Sequence, residues 1–352
     1  MSRELIVDGT RIADDTECYV IAEIGHNHQG SVEKCKELFR VARECGVDAV
    51  KLQKRHNRTL FTRAMYDRSY HSENAFAPTY GEHREFLEFG WDEYVELKRY
   101  ATEELGVTLF STAFDLRSAD FLAKLDIPAY KIASGDLTNT PLLKHVASIG
   151  KPMIISTGGA IMEDVQRAYD AVMPINPDLC IMQCTSGYPC EYEELNLQVI
   201  EVFRKTFPDV VIGYSGHDGG IAMSVVAYVL GARVVEKHFT LHRAAKGADH
   251  AFSLERSGLR RMVRDLRRSR VALGDGVKKR YESEEAPLGK MAKKLVAARD
   301  LNAGTVLAPE DIAIKIAEDG IPPYEFDNFV GMKLLRPLAE DESLTHDTIV
   351  DA

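Results

Sequence analysis

Two histidines mark the place where this chain could carry out chemistry. His217 follows a short apolar run that ends in Tyr214-Ser215-Gly216, and His238 follows a second run that ends in Glu236-Lys237. Both lie where a strand-like run gives way to a loop, and in a barrel of parallel strands those ends open on one face. Imidazole is the commonest metal ligand in proteins, so the pair could share a divalent metal. Two unrelated loop histidines are the alternative that these residues alone leave open.

Short apolar runs alternate with amphipathic helical segments through most of the chain. The predicted helices are residues 32–45, 92–105, 118–124, 141–149, 162–172, 197–206, 222–230 and 257–273. The runs are residues 18–23, 49–53, 108–111, 129–132, 153–156, 179–183, 210–215 and 234–238. They are short, continuous and rich in valine and isoleucine, which is typical of strands buried on both faces of a parallel sheet. Alternating strand–helix units of this number predict an α/β fold, a (β/α)8 TIM barrel.

The domain organisation follows from the point at which the alternation of strands and helices ends. The barrel is predicted to span residues 1–276, beginning with a hairpin at 3–15 that turns at Asp8-Gly9. Residues 277–290 are polar and are predicted to form a linker. Residues 291–352 are predicted to form a second unit, which is so small that it would be only marginally stable by itself. The excursion at 54–91 is long and rich in arginine, and loops of that length at an active face are typically lids or substrate loops.

Composition excludes several classes of function. The net charge of -10 argues against generic nucleic-acid binding. No apolar run approaches the roughly 20 residues needed to cross a bilayer, and the first residues show no signal-peptide pattern. We therefore expect a soluble cytoplasmic protein with no membrane partner. The six cysteines include no CxxC pair and are predicted to be mostly buried apolar fillers.

Every predicted strand ends in polar residues. Two of these are the lysines Lys51 and Lys131. The hydroxyl groups near the strand ends are those of Thr112, Ser134, Ser156, Ser186 and Ser215. Cations and hydroxyl donors together suit an anion that carries phosphate and carboxylate groups. A local ion pair or a solvated side chain is the alternative for either lysine.

Motifs that occur in order at these strand ends make the chain resemble the sialic acid (N-acetylneuraminate) synthase family. They read AEIGHNHQG, KLQK, FSTAFD, KIASGD, ISTGG, CTSGYP, GYSGHDGG and EKHFTL followed by KGADH. The later stretch LVAARDLNAGTVLAPEDI resembles the small SAF (β-clip, antifreeze-like) domain of these enzymes. The resemblance implies a transferase that forms a carbon–carbon bond between phosphoenolpyruvate and an N-acyl-mannosamine-type aldose. Its products would be a 3-deoxy-2-keto sugar acid of the nonulosonate type and phosphate.

The resemblance also implies roles for individual residues. His217 and His238 match the metal ligands, with Mn²⁺ the expected ion and Mg²⁺ or Co²⁺ as alternatives, and the metal would polarise the sugar aldehyde. The phosphoenolpyruvate pocket matches Lys51, Thr112, Lys131, Ser134, Ser156, Ser186 and Ser215. Positions near the acceptor sugar and the attacking water match Glu23, Gln53, Tyr188 and Asp249. Glu23 or Asp136 is expected to handle that water. A homodimer that exchanges SAF domains is implied as well.

Three positions depart from the family pattern. Asp136 stands where the family usually has Glu, and Gln183 stands where it usually has His. Residues 315–322 lack the arginine of a KRPG-like stretch, which in the family reaches the partner's site and holds the N-acetyl group of the sugar. The missing arginine implies an acceptor other than standard N-acetylmannosamine. A metal-dependent 2-keto acid aldolase or lyase on the same barrel, and a non-catalytic sugar-acid-binding protein, remain alternatives.

Overall fold

The computed structural model describes residues 3–352 and divides the chain into two compact units. The first unit ends at Gly274 and the second runs Asp275–Ala352. The first unit thus ends two residues before the barrel boundary predicted at 276. The predicted linker 277–290 contains the 3-10 turn Glu282–Glu284 and most of the helix Glu285–Met291, and the linker assignment stays a prediction.

Parallel strands close into an eight-stranded barrel in the first unit, as the sequence pattern predicts. The strands of this unit are β1 (Glu4–Val7), β2 (Thr10–Ala13), β3 (Tyr19–Glu23), β4 (Ala49–Lys54), β5 (Thr108–Ala113), β6 (Tyr130–Ile132), β7 (Met153–Ser156), β8 (Leu179–Cys184), β9 (Val211–Gly216) and β10 (Val234–His238). Strands β3 to β10 pair in sequence order, and β10 closes the barrel against β3 with Val234 opposite Tyr19. The fold class is therefore confirmed.

Helices connect the strands, and their bounds lie within a few residues of those that the apolar periodicity predicts. They are α1 (Val32–Glu44), α2 (Asn57–Leu60), α3 (Arg63–Tyr66), α4 (Tyr80–Phe86), α5 (Trp91–Arg99), α6 (Leu116–Lys124), α7 (Thr140–Ser148), α8 (Met162–Val172), α9 (Val199–Thr206), α10 (Ala222–Val229) and α11 (Arg256–Leu273). The predicted helix 92–105 divides into α5 and a π-helical turn at Tyr100–Glu104. The long excursion 54–91 is folded locally and contains the short helices α2, α3 and α4.

The barrel interior changes from apolar to polar along each strand. Apolar side chains such as Ile21, Phe110 and Ile154 fill the lower part, where Leu5 and Val7 of the β1–β2 hairpin join the same cluster. Successive residues of a strand point to opposite faces, so the residue two positions further on shares the interior face. Those next interior positions include Glu23, Lys51, Thr112, Lys131, Ser156 and Glu236, and on β9 Ser215 lies two positions beyond Gly213. The strand pattern therefore places the polar groups at the carboxyl-terminal end of the barrel.

The second unit is a small β domain with its own core. Its elements are α12 (Glu285–Met291), β11 (Lys293–Ala297), β12 (Ile312–Ile316), α13 (Phe326–Phe329), β13 (Lys333–Leu334) and β14 (Ile349–Val350). Strands β11 and β12 pair antiparallel, as do β13 and β14. Leu295, Phe329 and Leu344 are among the buried residues of its core. No helix within residues 3–352 is both long enough and apolar enough to span a bilayer.

A buried ion pair links the ends of β9 and β10 outside the barrel interior. The ammonium group of Lys237 donates to a carboxylate oxygen of Asp218 at 2.9 Å and to the Asp218 carbonyl at 2.7 Å. The Tyr214 hydroxyl donates to the same carboxylate at 2.8 Å. Both charged side chains are almost fully buried, at 1% and 0% exposure. Each charge therefore depends on the other for compensation.

Replacing Lys237 by methionine is expected to lower the free energy of unfolding by about 3–5 kcal/mol, because Asp218 would remain buried without a counter-charge. Urea unfolding followed by circular dichroism measures the loss. The exposed Lys205 on α9 provides the control, and Lys205→Met is expected to change stability by less than about 0.5 kcal/mol. Equal unfolding midpoints for the two variants would contradict the prediction.

Candidate active site

A cavity of about 530 Å³ opens at the carboxyl-terminal ends of the barrel strands. All eight barrel strands contribute at least one side chain to its wall. Its lining comprises Glu23, His26, Lys51, Gln53, Arg55, Arg84, Thr112, Phe114, Lys131, Ala133, Ser134, Gly135, Ser156, Cys184, Ser186, Tyr188, Ser215, His217, Glu236, His238, Ala248 and Asp249. Convergence of every strand on one polar cavity is the arrangement that serves as the active site in TIM barrels.

The cavity brings together all but one of the residues that the sequence singles out. The residues predicted for catalysis, substrate binding and metal binding that line it are Glu23, Gln53, Asp249, Lys51, Thr112, Lys131, Ser134, Ser156, Ser186, Tyr188, Ser215, His217 and His238. Asp136 does not line it. Strand β6 ends at Ile132, and Asp136 closes the 3-10 turn Ser134–Asp136, where its carboxylate accepts a hydrogen bond from Asn139 at 3.1 Å. Of the two carboxylates predicted to handle water, only Glu23 therefore faces the cavity.

Two lysines and two glutamates form a charge-balanced group on the cavity floor. The ammonium group of Lys51 lies 2.7 Å from a Glu23 oxygen and 3.5 Å from a Glu236 oxygen, and it donates to the Thr112 hydroxyl at 2.9 Å. The ammonium group of Lys131 donates to Ser156 at 2.6 Å and lies 3.8 Å from Glu236. The alternative of solvated lysine side chains is excluded for both, since they are nearly fully buried.

The two lysines differ in how well their charge is compensated. Burial alone would lower the pKa of Lys51, but Glu23 and Glu236 outweigh it and raise that pKa. Burial lowers the pKa of Lys131, because its nearest carboxylate is more distant and Lys51 lies close by. Burial also raises the pKa of Glu23, although the positive charge of Lys51 acts to lower it. Lys131 is therefore the floor cation that gains most from an incoming anion.

Glu236 is a cavity residue that the sequence reasoning did not assign to the site. It lies on β10 two positions before His238, so the alternation of strand side chains puts both on the interior face. Burial opposes its ionisation, yet Lys131 and Lys51 outweigh burial and lower its pKa. The same period-two signal could have identified Glu236 from the sequence.

Hydroxyl groups converge on the backbone of Gly158 at the β7 end. The Gly158 amide donates to the Ser134 hydroxyl at 2.9 Å. A side chain at position 158 would place its first carbon 2.1 Å from the Ser186 hydroxyl oxygen and 2.9 Å from that of Ser134. The absence of a side chain thus lets two hydroxyls and the backbone approach one another. Clustered hydroxyl and amide donors of this kind suit the oxygens of an anion.

His217 and His238 lie side by side, with ring centroids 5.5 Å apart. The Nδ1 atom of His217 lies 2.8 Å from the Thr185 carbonyl, which assigns the proton to Nδ1 and leaves Nε2 as the lone-pair nitrogen. The Nδ1 atom of His238 is buried without a hydrogen-bond partner and lies 3.9 Å from an Asp249 oxygen. Burial, reinforced by His217 and Lys51, holds the pKa of His238 well below its usual value, so this ring is neutral and able to act as a ligand.

The histidine pair fits a metal ion that takes its remaining ligands from substrate and water. Within residues 3–352, no group of three or more His, Cys, Asp or Glu side chains is arranged to hold a metal by itself. The orphaned Nδ1 of His238 and the free Nε2 of His217 nevertheless offer two imidazole nitrogens at one wall of the cavity. Cys184 adds a thiol 3.9 Å from the His217 Nδ1 atom.

Arg55, Arg84 and His26 form a further part of the cavity lining, the arginine wall, and the sequence patterns predicted none of them as site residues. Arg55 lies in the arginine-rich excursion 54–91, and His26 lies in the loop that follows β3. Arg84 lies on α4, inside the long excursion, and no local pattern distinguishes it from the other arginines there. The neighbouring His28 is buried against Phe89 and does not line the cavity.

Comparison with known proteins gives consistent matches over both units. The family model described as "NeuB family" matches residues 38–278, and that of the "SAF domain" matches residues 293–350. The N-acetylneuraminate-9-phosphate synthase of Homo sapiens is 41% identical over 342 residues, covering 97% of this chain and 95% of its own. The N,N'-diacetyllegionaminic acid synthase of Legionella pneumophila is 35% identical over 338 residues, covering 94% of each. The crystal structure of an N-acetylneuraminic acid synthetase from Leptospira borgpetersenii superimposes with a TM-score of 0.71 at 27% identity, covering 82% of this chain and 96% of that one.

Proposed function

The chain belongs to the NeuB family, and we propose on this basis that its cavity condenses phosphoenolpyruvate with a sugar aldehyde to give a 3-deoxy-2-keto sugar acid and phosphate. The observation that carries the proposal is the convergence of two lysines, a hydroxyl cluster and two imidazoles on one cavity. This combination matches an anionic enol phosphate next to a carbonyl group that has to be activated.

Phosphoenolpyruvate is proposed to bind over the floor group and the Gly158 hydroxyl cluster. Lys131 and Lys51 would compensate its phosphate and carboxylate charges. Ser134 and Ser186 would donate hydrogen bonds to its oxygens. In this reaction C3 of phosphoenolpyruvate bonds to the aldehyde carbon, whose oxygen becomes a hydroxyl. Water adds at C2, and the bond between C2 and the bridging oxygen breaks to release phosphate.

His217 and His238 would hold the divalent metal on which synthases of this family depend, and Mn²⁺ is the ion we propose. Bound there, the metal would polarise the aldehyde oxygen of the sugar as a Lewis acid. The Thr185 carbonyl fixes the tautomer and orientation of His217. Asp249, whose carboxylate lies 3.9 Å from the Nδ1 atom of His238, is proposed to accept a proton from a sugar hydroxyl.

Glu23 is the proposed group for the attacking water. Its carboxylate faces the cavity between Lys51 and Gln53, whose amide donates to it at 2.6 Å. Burial raises its pKa, which strengthens it as a base once it is ionised by the adjacent ammonium group. Gln53 and Tyr188 would line the acceptor side, where the Tyr188 ring packs 4.3 Å from that of His217.

The acceptor is proposed to differ from standard N-acetylmannosamine. The relatives are named for different products, a sialic acid 9-phosphate in one and a diacetyllegionaminic acid in another, so the family uses more than one acceptor. In residues 315–322 the cation is Lys315 on β12, which is exposed and pairs with Asp341. A homodimer with exchanged SAF domains and a cytoplasmic location are part of the same proposal.

An isotope experiment tests the reaction class. Phosphoenolpyruvate labelled with ¹⁸O at the bridging oxygen is incubated with Mn²⁺ and a panel of aldoses, and the released phosphate is analysed by mass spectrometry. We expect phosphate release that requires the sugar, with the label in the phosphate. Turnover of pyruvate in place of phosphoenolpyruvate would indicate the aldolase alternative. Binding of both ligands without turnover under any of these conditions would indicate a sugar-acid-binding protein.

A further inference from the structure

Arg55 and Arg84 face the cavity without a carboxylate partner. Within the described residues 3–352, neither guanidinium group lies within 4.0 Å of an Asp or Glu oxygen. Arg55 is only 8% exposed. A buried arginine is normally paired, because an uncompensated charge away from water is costly. The pair is therefore an unusual concentration of uncompensated positive charge.

Neutral groups hold the two guanidiniums in place. Arg55 donates to the Gln53 side-chain oxygen at 2.7 Å, and its guanidinium carbon lies 3.6 Å from the centre of the Phe114 ring. Arg84 contacts the Tyr80 hydroxyl at 2.8 and 3.1 Å. These contacts fix the positions of both groups but supply no negative charge.

A single imidazole lies between the two arginines. Arg55 lies 3.0 Å from the Nε2 atom of His26, and Arg84 lies 3.2 Å from its Nδ1 atom. A neutral imidazole has only one acceptor nitrogen, so it satisfies at most one of these donors. Burial and the two arginines hold the pKa of His26 well below its usual value, so the ring carries no charge of its own. At least one guanidinium group therefore keeps a donor for a ligand.

The floor of the cavity does not compensate this charge. Lys51 and Lys131 are matched by Glu23 and Glu236, so the floor group is close to neutral. Burial, followed by the charge of Arg84, lowers the pKa of Arg55 to about 10. Glu88, which is paired with Lys54, and Asp249 oppose this shift without direct contact with the guanidinium group, and burial raises the pKa of Asp249 itself. The excess positive charge is thus concentrated at the arginine wall.

A chain of hydrogen bonds separates the arginine wall from the floor lysines. Lys51 pairs with Glu23 at 2.7 Å, Gln53 donates to Glu23 at 2.6 Å, and Arg55 donates to Gln53 at 2.7 Å. Three consecutive contacts therefore lie between the two cationic centres. The arginine wall and the floor lysines are therefore two distinct cationic positions in the cavity, each of which can serve as an anion subsite.

We propose that Arg55 and Arg84 bind a phosphate monoester carried by the acceptor sugar at the end remote from its aldehyde. This inference rests on the proposed function, since it assigns the second subsite to the second substrate. Two guanidinium groups match the double negative charge and the several acceptor oxygens of a phosphate monoester better than the single charge of a carboxylate. The preferred acceptor is thus a phosphorylated aldose of the mannosamine type.

Binding of matched sugar pairs to the full-length protein tests the assignment without turnover. Isothermal titration calorimetry is carried out with N-acetylmannosamine and mannose, each with and without a 6-phosphate. We expect the phosphorylated sugar of a pair to bind about 100-fold more tightly, as two charge-assisted hydrogen bonds allow. Arg84→Gln is expected to reduce the affinity for the phosphorylated sugar at least about 10-fold. The affinities of this variant for the neutral sugar and for phosphoenolpyruvate are expected to stay within about twofold of wild type.

Control variants separate this role from general effects of charge and folding. The exposed Arg68 lies in the same excursion outside the cavity lining, so Arg68→Gln is expected to leave all affinities unchanged. Arg55→Gln, checked by its melting temperature, provides an independent test of the same subsite. Three results would overturn the assignment. They are equal affinities for the two members of each pair, no binding of either member, and an equal loss of affinity for both members in Arg84→Gln. The uronic acid of the same sugar is titrated in parallel, and tighter binding of this acid than of the sugar 6-phosphate would overturn the assignment as well. A protein that passes this test but does not consume phosphoenolpyruvate would fail only the proposed function.

Discussion

Replacing Lys131 by methionine is expected to lower kcat/KM for phosphoenolpyruvate by about 10²–10³-fold while the barrel stays folded. The reason is that Lys131 is the floor cation with the weakest compensation, so it gains most from the substrate anion. Its ammonium group is held by Ser156 at 2.6 Å but lies 3.8 Å from Glu236. Steady-state kinetics with phosphoenolpyruvate as the varied substrate measures the loss.

Stability is expected to change much less than activity in this variant. Burial lowers the pKa of Lys131, so the folded protein binds this proton more weakly than the unfolded chain. At neutral pH, below the unfolded pKa of about 10.4, the charge therefore costs stability, and methionine removes that cost. The change also takes one cation from Glu236, but Lys51 remains 3.5 Å from it. The free energy of unfolding should stay within about 2 kcal/mol of wild type, in contrast to Lys237→Met.

The exposed Lys124 on α6 provides the matched control, and Lys124→Met should retain both activity and stability. A Lys131→Met variant with normal kcat/KM would show that the lysine serves only the structure. A variant that loses activity because it unfolds would contradict the expectation that the barrel stays folded without Lys131.

Replacing His217 by alanine is expected to abolish specific metal binding and to lower kcat by about 10³-fold or more. A Lewis-acid metal contributes several kcal/mol to carbonyl activation, and the two imidazoles are the proposed nitrogen ligands at this wall. With His217 removed, His238 would remain as a single imidazole ligand beside Asp249. Mn²⁺ affinity measured by electron paramagnetic resonance gives a readout that does not depend on turnover.

The exposed His71 lies in the long excursion and does not line the cavity, so His71→Ala controls for loss of an imidazole. It should bind Mn²⁺ with wild-type affinity. Unchanged Mn²⁺ affinity in His217→Ala would remove this residue from the metal site. The affinity for phosphoenolpyruvate in the absence of metal should be similar in wild type and in His217→Ala, because the floor lysines are unaffected.

The arginine wall illustrates how charge is distributed between the two proposed substrates. The floor lysines are balanced by glutamates, whereas Arg55 and Arg84 make their direct side-chain contacts with neutral groups. Electrostatic compensation on the acceptor side would therefore come from the acceptor itself. This arrangement gives discrimination through charge, since a neutral sugar would leave both guanidinium groups without a directly contacting anion.

The barrel could be predicted from the sequence because its elements are encoded locally. Short apolar runs and 3.6-residue periodicity report burial along a single strand or helix, and the observed bounds differ by only a few residues from the predicted ones. The polar side chains two residues beyond the last apolar interior positions, such as Lys51, Lys131 and Ser156, could be found in the same way. Closure of the barrel then brings these strand ends together, independently of the conformation of the loops.

Only the tertiary structure decided which polar groups pair and which stay free. Lys51 finds Glu23 and Glu236 across the barrel, and Arg84 meets His26 across 58 positions of sequence. Asp136, though in a matching motif, turns out not to line the cavity. Such contacts depend on strand register and on the path of the long excursion, which no local pattern encodes. The sequence by itself thus determined the fold and the location of the chemistry, whereas three-dimensional packing determined its charge balance.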